Sequence, residues 1–405
     1  MAELMSAMQR QSAEGKRLEA ELNDVDIQIL DFFVSSNAKQ EHETRTSTAS
    51  SCQRYSAVAT NTDNITVALL DREEQEWNDY VEKHPAATIH HLTPWRQILQ
   101  KTYGIESFYF VARNDGHRIV GVLPLVRLKS RLFGDMLVSM PYFQRGGAIA
   151  DHPAIETTLM QSANREAARL GIDHIEYRDD IPRQDLLALT FKVNMILALP
   201  DSEETLWHGF TAKLRAQIKR PQQLAPRILI GGKEYLDDFY KVYSRNMRDL
   251  GSPVHSRLLL ENMLKAFPGK SWIIVIRLNN IPVSAGFLLG HGDTMEVPLA
   301  STIREANPHS MNMLLYWEVL KLAVRQGYKN FDFGRSSKHA GTYRFKQQWG
   351  AQPKQLYWHY WQGEKEELPS LNPSNPKYAL MIYMWKRLPV RLTQWLGPLI
   401  VKNIP

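Results

Sequence analysis

Residues 107–126, SFYFVARNDGHRIVGVLPLV, read as a strand, an Asn-Asp-Gly turn and a second strand, and residues 271–290, SWIIVIRLNNIPVSAGFLLG, repeat that order around Asn279-Asn280. Short apolar runs broken by such dipeptides are a strong hairpin signal. A second pair of segments follows at a similar offset: NREAARLGIDHIEYRDD (164–180) and LKLAVRQGYKNFDFGRS (320–336) are each a helix end, a Gly stop and a strand. A hairpin, a further strand, a long helix closed by Gly and a strand leaving that helix outline a mixed α/β sheet, so the chain reads as two similar α/β domains in tandem.

The expected division is an N-terminal appendage and polar linker over 1–64, a first domain over 65–200, a second over 201–365 and a basic amphipathic tail over 366–405. At 405 residues the chain is long enough for two cores. The linker, QEHETRTSTASSCQRYSAVATNTDN (40–64), is Ser/Thr-rich and holds the lone cysteine, Cys52. Intrachain disulfides and cysteine-based metal sites are thereby excluded, which fits a reducing compartment. The first 26 residues lack the continuous apolar core of a secretory signal, and no window approaches the about 20 apolar residues of a membrane span, so the cytoplasm is the expected location. A net charge of +6 suits anionic partners: nucleic acid, phosphorylated carriers or an acidic membrane face.

The chemistry concentrates in FDFGRSSKHAGTYRFKQQWG (331–350), where Asp332 stands against Arg335, Lys338, Arg344 and Lys346. The strand FDF is expected to bury its phenylalanines and end at Gly334, leaving Arg335 and Ser336 at a strand end, where α/β sheets bind ligands. If 342–349 is helical, Tyr343, Lys346 and Gln347 share one face and Phe345 and Trp349 pack together as anchors. Lys346 then reaches outward, suited to stabilising an oxyanion or phosphate; the bland reading is a surface lysine. Three further candidates are weaker. Arg248 and Asp249 lie at a helix end stopped by Gly251. Tyr142 and Arg145 belong to a Gly-Gly turn, MPYFQRGGAIAD (140–151). Arg215 lies on a cationic helix with Lys213, Lys219 and Arg220 that is expected to stop before Pro221. No GxxxxGK[ST], HExxH or GxSxG occurs, and His90-His91 lacks partners at zinc spacing, so nucleotide hydrolysis, zinc hydrolysis and hydrolase-elbow chemistry find no support.

FDFGRS (331–336), GTYRFKQQWGAQP (341–353), NMRDLGSPV (246–254), NMLLYWEVL (312–320) and RLFGDMLVSMP (131–141) resemble the FemAB-like branch of the GNAT-fold acyltransferases, in particular proteins that accompany exosortase/PEP-CTERM exopolysaccharide systems. The likeness runs from about residue 65 to the end of the chain. It implies tandem duplicated GNAT-like domains and transfer of an activated acyl or aminoacyl group onto an amine of a cell-envelope precursor, with no bound cofactor. Lys346 falls on the catalytic lysine of the family's Phe-Lys motif, and Arg335, Ser336, Tyr343, Arg344 and Trp349 shape the pocket. The donor implied is aminoacyl-tRNA or acyl-CoA. The chain lacks the coiled-coil tRNA arm of some members, and QRGGAI (144–149) is a poor likeness of the pyrophosphate loop of CoA users. A CoA- or carrier-dependent N-acyltransferase on an amino sugar and a non-catalytic basic binding module are the alternatives. The tail, PKYALMIYMWKRLPVRLTQWLGPLIVKNIP (376–405), has five cations and no acidic residue. It suits either a cap on the second domain or a contact with anionic lipid of the inner membrane.

Overall fold

A computed structural model describes residues 64–130, 134–183, 186–338, 340–363 and 376–405. The N-terminal appendage expected over 1–64, with Cys52, therefore lies outside the described residues except for Asn64.

In chain order the first half supplies β1 (Thr66–Leu69), α1 (Glu74–Lys83), α2 (Pro94–Tyr103), β2 (Ser107–Arg113), β3 (Ile119–Ser130), β4 (Gly134–Val138), β5 (Ile149–Ala150), α3 (Pro153–Arg169), β6 (His174–Asp179), β7 (Leu187–Leu189) and β8 (Lys192–Ala198). The second half continues with α4 (Glu203–Gly209), α5 (Ala212–Gln222), β9 (Arg227–Gly231), α6 (Leu236–Leu250), α7 (Arg257–Ala266), β10 (Ser271–Leu278), β11 (Ile281–His291), β12 (Thr294–Thr302) and α8 (Met311–Arg325). It ends in β13 (Asn330–Ser337), α9 (Gly341–Gln347), β14 (Gln352–Gln355), β15 (Tyr357–Gln362), α10 (Pro376–Trp385) and α11 (Val390–Val401).

The duplication is present. β2 pairs antiparallel with β3, and β10 with β11, as the two turn signals require. Asn279 and Asn280 both take positive φ, the conformation that a two-residue hairpin loop needs and that asparagine tolerates. α3 leads through Gly171 (φ +65°) into β6, and α8 leads through Gly327 (φ +81°) into β13. β6 pairs in parallel with β4, and β13 in parallel with β12, so each half contains one parallel junction at the same place in its order.

The division at residue 200 does not separate the sheets. The first sheet runs β1-β2-β3-β4-β6-β15-β7 and the second β14-β8-β13-β12-β11-β10-β9. β8, from the end of the first half, lies between β13 and β14, and β15, from the end of the second, lies between β6 and β7. Each half completes the other's sheet, so the expected boundaries at 200 and 365 are corrected to an exchange of strands. The interior is continuous too: Trp95 of the first half packs its ring 4.8 Å from Phe143 and 5.3 Å from Phe267 of the second. α5 also runs one residue past Pro221, because a proline in the last turn withholds a single N–H.

Two buried histidines give this junction a pH dependence. His91 accepts the Thr88 N–H at Nδ1 (3.0 Å), which leaves the proton on Nε2 to donate to the Gly147 carbonyl (3.0 Å). Burial, the largest influence, lowers its pKa to about 3. Burial likewise lowers His255, whose Nδ1 lies 3.2 Å from the Tyr103 hydroxyl, to about 4. The unfolded chain takes up both protons near pH 6.5 while the folded one does not, so stability falls with falling pH, by up to about 1.4 kcal/mol per unit for each histidine. Denaturant titrations between pH 6.5 and 4.5 are expected to show this decline, and His91→Asn is expected to have a shallower slope.

Candidate active site

β13 does not end at Gly334. It pairs with β8 through Asn330↔Ala198 to Asp332↔Ile196, sets Phe333 and Gly334 against Met195 alone, and resumes at Arg335↔Asn194 through Ser337↔Lys192. The extra residue is a β-bulge, with Gly334 at φ +79°. A Cβ there would stand 3.0 Å from the Gln144 side-chain nitrogen, so the position takes glycine for both reasons. Asp332 holds the bulge from inside: Oδ1 accepts the Gly334 N–H at 2.7 Å and Oδ2 accepts the Asn194 amide at 2.6 Å. Burial raises the Asp332 pKa, and Arg145 opposes that shift.

On its other edge β13 pairs with β12 only through Thr294↔Asn330, Met295↔Phe331 and Glu296↔Asp332. Beyond Glu296 and Asp332 no pairing joins the two strands, so they part at the bulge. α9 packs against β13 at this split. Its inner side carries Thr342 and Lys346, four residues apart on one face, and Lys346 is 2% exposed. Its Nζ donates to the carbonyls of Arg335 (2.7 Å) and Gly334 (3.2 Å). Lys346 therefore turns inward and does not share an outer face with Gln347, which is exposed. The reason is local: a bulge leaves carbonyls without ladder partners, and a cation is the strongest available donor to them.

Around this point Ser336 is fully buried, and its hydroxyl finds no hydrogen-bond partner among the described residues. Arg335 lies over the Trp358 ring at 5.1 Å, and Arg178 lies over the same ring at 4.5 Å. Arg178 donates to Glu176 (2.7 Å), which also accepts the Tyr360 hydroxyl (2.6 Å). Burial, with Glu176 beside it, raises the Tyr360 pKa well above its ordinary value. Beside the Glu296↔Asp332 pair opens a cavity of about 290 Å³ at the junction of the halves, lined by Glu82, His84, Thr88, Arg145, His291 and Glu296 among others. Glu296 Oε1 stands 2.9 Å from His90 Nε2, and the His90 ring stacks on Phe143 at 4.1 Å. The cavity lining includes Arg145 and Glu296 but not Lys346, Arg335 or Ser336, which lie on the other side of the Glu296↔Asp332 pair, where the two strands part.

The structure brings Lys346, Arg335 and Ser336 together. Tyr343 and Arg344 lie on the same helix, half-buried and exposed respectively. Trp349 is buried in an aromatic cluster, 5.5 Å from Phe210 and 6.3 Å from Phe345, so it anchors the helix as expected and is walled off from a pocket. Four candidates find their partners elsewhere. Arg248 pairs with Asp249 (2.6 Å) and donates to the Leu388 carbonyl (3.0 Å); Tyr142 donates to the Lys402 carbonyl (3.0 Å); Arg215 donates to the Phe210 carbonyl (2.7 Å). In the QRGGAI turn the N–H groups of Gly146 and Gly147 both donate to the Arg178 carbonyl (3.1 and 3.0 Å), which occupies them with protein. Sequence reasoning missed Asp332, Asn194 and Glu296 as site residues and gave His90 no role. Asn194 and Glu296 lie in strands that are mostly apolar, KVNMILA (192–198) and TMEVPLA (294–300); a polar residue inside such a run is the signal they left.

Residues 210–347, which carry the bulge, α9 and Lys346, match the family model of the acetyltransferase (GNAT) domain. The segment that matches is about a third of the chain, and the first half repeats its order of hairpin, parallel junction and helix, so the fold is one of duplicated, tandem GNAT-like domains, as the FemAB-like resemblance implies. Among solved structures, FemX is similar with a TM-score of 0.56 at 15% identity, over 72% of this chain and 96% of that one. A conserved protein of unknown function from Bacteroides thetaiotaomicron gives 0.50 at 8% identity, over 73% and 99%. A tandem GNAT protein from the clavulanic acid biosynthesis pathway gives 0.48 at 11%, over 75% and 100%. No curated protein matches the chain in sequence.

Proposed function

We propose that this protein transfers an aminoacyl or acyl group from an activated ester or thioester onto an amine of a cell-envelope precursor, working from the cytoplasmic face of the membrane. The observation that carries the reading is the buried ammonium of Lys346, fixed on the carbonyls of Gly334 and Arg335 at the split between β12 and β13. Attack by the amine nitrogen forms a C–N bond and places negative charge on the former carbonyl oxygen. A cation already fixed in a dry site stabilises that charge without reorganising. The C–O or C–S bond to the leaving group then breaks, and the proton the nitrogen loses passes to the leaving oxygen or sulfur. Arg335 and Ser336 contribute to the wall of the reacting cleft.

Two features favour an aminoacyl ester such as aminoacyl-tRNA over acyl-CoA. The connection from β12 to α8, residues 303–310, holds no glycine, and the paired glycines 146–147 have their N–H groups bonded to Arg178. Neither offers the open row of backbone donors that cradles a pyrophosphate. Calorimetry separates the donors: charged tRNA is expected to bind and acetyl-CoA to give no heat. Acetyl-CoA binding without tRNA binding would move the assignment to a CoA-dependent N-acyltransferase on an amino sugar.

A further inference from the structure

The C-terminal helices lie on the second domain by one side only. The Trp385 indole donates to the Ser252 carbonyl (3.0 Å), the Gln394 amide donates to the Ser244 hydroxyl (2.8 Å), and Gly397 lies so close that a Cβ would stand 2.7 Å from the Val254 nitrogen. Thr393, Gly397 and Val401, spaced four apart, form the buried stripe of α11. The opposite side is apolar and open: Met381 (61% exposed), Met384, Leu392, Trp395 (66%), Leu399 and Ile400. Leu392, Trp395 and Leu399 share one face at intervals of three and four residues. Elsewhere among the described residues, exposed large apolar side chains occur singly in the sequence, as Leu69, Leu187, Leu224, Leu258 and Ile281 do. Such single exposures need no partner, whereas a continuous patch does.

The charge beside the patch selects the partner. Residues 376–405 hold no acidic residue. At 100° per residue Arg391 and Lys402 fall on the edge of α11 next to Trp395, and Arg387 lies over the Tyr383 ring at 3.3 Å. No helix among the described residues is long and apolar enough to cross a membrane. We propose that this face is a lipid-binding surface. Its Met, Leu and Trp side chains enter the headgroup boundary of an anionic bilayer while Arg387, Arg391 and Lys402 meet lipid phosphate. The tail thus both caps the domain and presents a docking face, which joins the two alternatives read from its sequence. The inference stands apart from the reaction, because lipid binding and acyl transfer are measured separately.

The test is co-sedimentation of the full chain with phosphatidylcholine vesicles and with vesicles containing 30% phosphatidylglycerol. Recovery on the anionic vesicles is expected to exceed that on neutral ones and to fall with added salt. A triple variant, Leu392→Glu, Trp395→Glu and Leu399→Glu, is expected to lose at least about tenfold in binding while remaining folded, because all three side chains are exposed to solvent. A second variant, Arg387→Glu with Arg391→Glu, is expected to lose the anionic preference. Equal recovery of wild type and the triple variant would overturn the proposal, as would failure of wild type to bind anionic vesicles. Light scattering that finds a lipid-free dimer dissolved by the triple variant would assign the face to a second copy instead.

Discussion

Replacing Lys346 by methionine is expected to lower turnover by a factor of about 100 or more, the scale on which loss of one pre-placed electrostatic donor acts in acyl transfer. The side chain is nearly isosteric, so the cavity stays filled while the charge is removed. Because Nζ holds the carbonyls of Gly334 and Arg335, the variant also leaves two buried acceptors short of a donor and is expected to be less stable by about 1–3 kcal/mol. The two effects separate experimentally. Circular dichroism and a denaturant titration report the second, and initial rates measured well below the shifted midpoint report the first. A variant that loses the stability yet keeps wild-type rates would make Lys346 a strut of the bulge and nothing more.

Replacing Arg178 by methionine is expected to cost about 3–5 kcal/mol of folding free energy, the range found when one partner of a buried ion pair is removed. Arg178 is almost fully buried on β6, pairs with Glu176 at 2.7 Å, donates to the Phe143 carbonyl at 2.5 Å and lies over Trp358 on the exchanged strand β15. Its loss leaves the buried Glu176 side chain with only the Tyr360 hydroxyl as a described side-chain donor, and loosens the point where the second half closes the first sheet. A shift of the denaturant midpoint at unchanged slope measures it. Glu176→Gln in the same background is expected to recover part of the loss, because it removes the buried carboxyl group that has lost its guanidinium partner.

What could be read from sequence was what local chemistry controls. Asn279-Asn280 and Asn114-Asp115-Gly116 announced their hairpins, and Gly171, Gly251 and Gly327 announced helix ends, because turn and cap conformations are decided within a few residues. Phe345 and Trp349 packed one turn apart as their spacing required. The exchange of β8 and β15 left no such trace, since which sheet a strand joins depends on residues more than a hundred positions away. The inward turn of Lys346 was hidden for a related reason. Its helical position marks it as polar, and only the bulge at Gly334, itself a matter of pairing between β13 and β8, creates the carbonyls that draw it in. Arg248 and Tyr142 stand at a helix end and a turn, where charged and aromatic groups commonly line pockets, and here they donate to the carbonyls of Leu388 and Lys402 in the C-terminal segment.

We propose that the split between β12 and β13, with Lys346 beside it, makes an amide bond. The most direct measurement is mass spectrometry of an amine-bearing cell-envelope precursor, peptide or amino-sugar, incubated with the full-length chain and with aminoacyl-tRNA or acetyl-CoA as donor. The account predicts a product heavier by the acyl or aminoacyl group, formed from the aminoacyl-tRNA reaction and lost at least about 100-fold with the folded Lys346→Met variant. Amide formation that proceeds at the wild-type rate in that variant, or its absence with both donors and both classes of amine, would contradict it.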